Sequence, residues 1–183
     1  LALLYGWAKD PELRHPSGMM IDYILLDFAA ENLDGFYGGA HSRLYPRAML
    51  QPDLAAARRH AWLLFGQGEF AGNGGNMILA LSGYVPPAIL YRIAHDRSEP
   101  YVHREVKRTR WRLRHAGPDA FEVDGRMTTP VYKYTYMHPD FVLGSSQGGL
   151  LQPIQQQTWS LIWRRYSPET TSNTMFAVQP YSN

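Results

Sequence analysis

The spacing of apolar residues changes near residue 100, and that change constrains the fold more than any other feature of the chain. Before it, apolar side chains recur three and four apart. Met20, Ile21, Ile24, Leu25, Phe28, Ala29 and Leu33 follow the helix entry Pro16-Ser17-Gly18 and stop at Gly35. A second helix is predicted from Pro52-Asp53 to about Phe65, burying Ala57, Ala61 and Leu64, with Gly66 and Gly68 behind it. Gly72-Asn73-Gly74-Gly75-Asn76 reads as a loop, and Met77 to Leu81 as a short apolar run. Pro86-Pro87 opens a further helix through Ile89, Leu90 and Ile93 to about His95.

After Pro100 the period is two. Tyr132, Tyr134 and Tyr136 alternate with Val131, Lys133 and Thr135, and Trp159, Leu161 and Trp163 alternate with Thr158, Ser160 and Ile162. Val102 to Arg114 has strand composition. Phe141 to Leu143 follows the turn His138-Pro139-Asp140, and Thr174 to Val178 is one more strand. Helices first and strands afterwards predict an α+β chain, with a helical part over 1–99 and an antiparallel β part over 100–183. The boundary falls near Ser98-Glu99-Pro100.

Composition narrows the functional classes. The 183 residues include no cysteine, which excludes a disulfide scaffold, a thiolate metal site and a Cys nucleophile. No two of the seven histidines form His-x-x-x-His or His-Glu-x-x-His, so neither a metal site nor a cofactor is expected. Net charge is +2, but residues 101–115 carry six basic groups against Glu105 alone. The chain as a whole is no polycation, so no nucleic-acid partner is expected. No apolar run approaches the ~20 residues of a membrane span. The opening Leu1-Ala2-Leu3-Leu4 lacks an initiator Met and a signal peptide, and reads as a cut from a longer, secreted or periplasmic protein. Oligomeric state is not legible.

Aromatic residues reach 13%, a level common among sugar-handling and β-rich proteins, and equally suited to an aromatic core. The densest polar and aromatic cluster is Asp34-Gly35-Phe36-Tyr37-Gly38-Gly39-Ala40-His41-Ser42-Arg43-Leu44-Tyr45. Its glycines permit close approach of a ligand to the backbone, and no Gly-Lys-Ser/Thr follows to make a P-loop. His, Arg and Tyr together suit proton abstraction beside a carboxylate, as at C5 of a uronic acid. Arg43 or His41 would neutralise the carboxylate. Tyr45 would act as base once nearby positive charge lowers its pKa from about 10. Paired carboxylates are the rival chemistry: Asp27, Glu31 and Asp34 at i, i+4 and i+7 suit a glycoside hydrolase on helical hairpins, or a solvated helix face.

Binding residues are read from the second half. Arg104 and Arg108 suit a groove for an acidic polysaccharide, or a charged face that discourages edge pairing. Tyr37 and Tyr134 suit stacking on sugar rings, although the tyrosine stripe equally suits packing of one sheet face. Trp159 and Trp163 are expected in the core. Gln147 opens an amide-rich stretch to Gln157 that suits a polar loop at a site. A non-catalytic carbohydrate-binding or scaffolding module on the aromatic sheet is therefore a second functional reading.

The order of helices, the 34–45 cluster, further helices and then strands resembles the junction region of heparinase II/III-like and alginate-lyase-like polysaccharide lyases. Those proteins join an incomplete α/α toroid to an antiparallel β-sandwich and cleave uronate polysaccharides by β-elimination. The resemblance implies the last toroid helices followed by the start of the sandwich. It carries over Tyr45 and His41 as catalytic residues, with an acidic polysaccharide or oligosaccharide as substrate. The family's charge-neutralising residue commonly comes from an earlier helix, which this chain does not contain.

Overall fold

The computed structural model describes residues 1–42, 45–68, 76–107, 131–148, 157–164 and 173–178. Among them are six α-helices and a five-stranded antiparallel sheet, an α+β protein. The chain forms two compact units. One comprises Leu1–Tyr37 with Asp53–Ser98, and the other Gly38–Pro52 with Glu99–Asn183. Gly38–Pro52, read from sequence as part of the helical half, thus belongs to the sheet unit. Among the described residues no helix is long and apolar enough to cross a membrane.

In the helical unit, α1 covers Ala2–Trp7 and α2 covers Pro11–Ala30. The long helix starts five residues before the expected entry. Asp10 is its N-cap, accepting from the Glu12 amide at 2.9 Å, and Pro11 supplies the preset φ of the first turn. Pro16 lies inside the helix instead of opening it. The helix also ends before Leu33. A short hairpin, β1 (Asn32–Leu33) and β2 (Phe36–Tyr37), turns through Asp34 and Gly35, both at positive φ.

After α3 (Pro46–Leu50), which belongs to the sheet unit, a 3-10 turn at Pro52–Leu54 leads to α4 (Ala56–Phe65). The later helices α5 (Met77–Leu81) and α6 (Ala88–His95) complete this unit. Its core is Ile21, Leu25, Phe28 and Ala29 of α2, Ala61 and Phe65 of α4, and Leu90 and Ala94 of α6. Each large side chain so buried contributes roughly 1.5–3 kcal/mol.

In the sheet unit the strands run in the order β3 (Tyr101–Lys107), β4 (Val131–Met137), β5 (Phe141–Gly148), β6 (Gln157–Trp163) and β7 (Thr174–Val178). Every neighbouring pair is antiparallel. One face buries Val131, Thr135 and Met137 of β4, Val142 of β5, and Ser160 and Ile162 of β6. Gly38 and Gly39 lie flat against that face. A Cβ on Gly38 would overlap the Val142 methyls, and one on Gly144 would overlap the Gly39 backbone. Ser160 Oγ donates to the Gly39 carbonyl at 2.5 Å. The segment continues into the short helix α3 (Pro46–Leu50), which buries Met49.

Candidate functional site

The alternation of β4 sends Val131, Lys133, Thr135 and Met137 to the buried face and Tyr132, Tyr134 and Tyr136 to the other. Tyr132 is 54% exposed and Tyr134 41% exposed. Register decides their neighbours. Arg104 of β3 lies opposite Tyr134, which lies opposite Ser145 of β5; Val106 lies opposite Tyr132, which lies opposite Gln147. These side chains line a groove of about 540 Å³. The Arg104 guanidinium sits 5.7 Å from the centre of the Tyr134 ring, within cation–π range. On the opposite face, Lys133 is 4% exposed and donates to Glu105 at 2.8 Å, and Lys107 pairs with the same carboxylate. Alternation along β3 turns Glu105 and Lys107 to that face too, so Arg104 is the charge that the open face displays on β3.

Three of the five binding residues read from sequence, Arg104, Tyr134 and Gln147, therefore meet in one groove. Tyr37 does not join them. It belongs to the helical unit, where its hydroxyl donates to Asp27 Oδ2 at 3.0 Å and its ring meets Phe28 edge-on at 5.0 Å. Arg108 lies outside the described residues. The sequence reading missed Val106 and Ser145, whose place depends on strand register, a property of the fold and not of local composition. Trp159, expected in the core, is 37% exposed and lies opposite Ser145 on the open face.

The 34–45 cluster divides between the units at Tyr37 and Gly38. His41 is half-buried; its Nε2 faces the Gly38 carbonyl. Its backbone pairs with Gln157 in both directions, the Gln157 amide donating to the His41 carbonyl at 2.8 Å and the His41 amide donating to Gln157 Oε1 at 3.1 Å. Tyr45 is the N-cap residue of α3 and is 66% exposed. Among the described residues no hydrogen bond or ring contact joins Tyr45 to His41. Arg43 lies outside the described residues.

The three carboxylates of the hydrolase reading differ in setting. Asp27 accepts from Tyr37, Glu31 is fully buried, and Asp34 is exposed in the hairpin turn. Comparison with protein-family models, with curated proteins and with solved structures finds no match to this chain.

Proposed function

We propose that the protein is carbohydrate-active and that the open sheet face binds an acidic polysaccharide. The observation that carries this reading is Arg104 poised over Tyr134 beside the exposed Tyr132. A pyranose presents C–H groups to an aromatic face, its carboxylate suits a guanidinium, and its hydroxyls suit Ser145 and Gln147. The finer architecture goes with it: the helical unit as the end of an α/α toroid, the sheet as one layer of a sandwich. Exposed Tyr23 and Ile24 on α2 and Leu3 and Trp7 on α1 support it, since further helical hairpins would cover them.

A lyase activity is the second reading, and the exposure of Tyr45 favours it: a polymer can reach the phenol. Tyr45 would remove the C5 proton while His41 and Arg43 offset the carboxylate charge.

Binding of alginate and of a neutral glucan, followed by affinity electrophoresis and by ultraviolet absorbance of unsaturated uronate, tests both readings. Arg104→Gln should weaken alginate binding roughly 10–100-fold, the range for a lost charge-assisted hydrogen bond. Tyr134→Ala should weaken it comparably. Equal retention of both polymers, or unchanged variants, would overturn the groove. Absorbance that Tyr45→Phe lowers by about 10²–10⁴ supports the lyase; binding without absorbance leaves a binding module.

A further inference from the structure

A second cavity, of about 340 Å³, lies wholly within the helical unit, between α1, α2 and the turn Tyr84 to Pro87. That volume is at the low end for small-ligand sites, roughly 300–1,000 Å³. Arg14 and Asp22 stand eight residues apart on one face of α2, about 12 Å along its axis. Gly18 stands midway. A Cβ there would press on the Tyr5 ring at 3.0 Å, so the missing side chain lets that ring pack against α2 between the two charges and form one wall of the cavity.

The polar groups are set for a ligand with two different ends. Tyr84 donates its hydroxyl to Asp22 Oδ1 at 2.5 Å, and Tyr5 meets Tyr84 edge-on at 5.5 Å. Burial, then the bond to Asp22, raises the Tyr84 pKa far above its usual value, so the phenol stays a donor. Among the described residues Asp22 Oδ2 accepts no hydrogen bond, and neither the Arg14 nor the His15 side chain makes a hydrogen bond or ion pair. Arg14 rests over the Tyr5 ring at 5.7 Å.

We propose that this cavity binds a carboxylated sugar of one or two rings. The carboxylate meets Arg14 and His15, ring hydroxyls donate to Asp22, and the C–H faces lie along Tyr5 and Met19. An α-amino acid fits poorly, because its two charges sit on one carbon while the complementary charges here stand two helical turns apart. The site is independent of the sheet groove and does not rest on it.

Titration of the full chain with D-glucuronate, D-glucose and acetate, followed by amide NMR, tests the assignment. Glucuronate should move the resonances of Gly18, Met19 and Val85 saturably, and at least about tenfold more tightly than glucose or acetate. Arg14→Gln, a substitution at an exposed position, should weaken glucuronate about tenfold. Three results would overturn the proposal. These are no movement at those amides, equal affinity for acetate or glucose, and an unchanged Arg14→Gln variant.

Discussion

Gly144 shows how one absent side chain joins two distant parts of the sequence. Its face of β5 receives the Gly39 backbone, so a Cβ would meet main chain and not a movable side-chain end. Small-to-large changes in packed sites cost typically about 1–3 kcal/mol, and backbone yields least. Gly144→Ala should therefore lower stability by about 2 kcal/mol or more, read as a drop in the urea midpoint with m unchanged. A neutral result would mean that the glycine segment is not seated on the sheet. The sequence reads Gly38 and Gly39 as room for a ligand; the structure fills that room with Val142 and Gly144. Nothing local carries that distinction, because the partners lie about a hundred residues downstream.

Arg97 does for the helical elements what the glycines do for the sheet. It is 9% exposed, and its guanidinium donates to the carbonyls of Ala29 at 2.9 Å, Asn32 at 2.8 Å and Ile93 at 2.8 Å. One side chain thus satisfies the carbonyl ends of α2 and α6 and the start of the hairpin, with its charge at two negative helix termini. Asn32 adds a donor to the Ala94 carbonyl at 3.0 Å. Arg97→Met should cost about 2–4 kcal/mol in urea unfolding, since several buried carbonyls lose their donor together. Arg97→Lys should recover less than half, because an ammonium cannot span three carbonyls as a planar fork does. Full rescue by Lys would reduce the role to charge alone.

In sequence Arg97 is one charge in a polar run, and its partners are unreadable there. The hairpin was missed: Asp34-Gly35 between Leu33 and Phe36 is a two-residue turn signal, but the helical period of the preceding residues runs through Leu33 and makes Gly35 read as a helix stop. The β4 alternation was legible because it repeats over seven residues, and the groove inherits that legibility through Tyr132 and Tyr134.

At the scale of the whole molecule, the chain passes between its two units three times, at Tyr37/Gly38, Pro52/Asp53 and Ser98/Glu99. The composition change near Pro100 reveals the last crossing only. The first two enclose Gly38–Pro52, too short to carry a period of its own, and its glycines read as loop. Independent domains are expected to separate where few contacts cross a single linker, and this chain offers no single such cut. Expressed alone, residues 99–183 would lack the segment that covers Val142, Gly144 and Ser160. That piece should show a lower urea midpoint than the full chain and bind a dye for exposed apolar surface. Residues 1–98 would carry Gly38–Pro52 without its sheet, so its amide resonances should collapse to unfolded positions while those of α2 persist. Joining residues 38–52 to 99–183 through a flexible linker should restore the midpoint of the sheet. If 99–183 alone already unfolds at the midpoint of the joined piece, the segment adds nothing to the sheet. The boundary at Ser98 and Glu99 would then be sufficient.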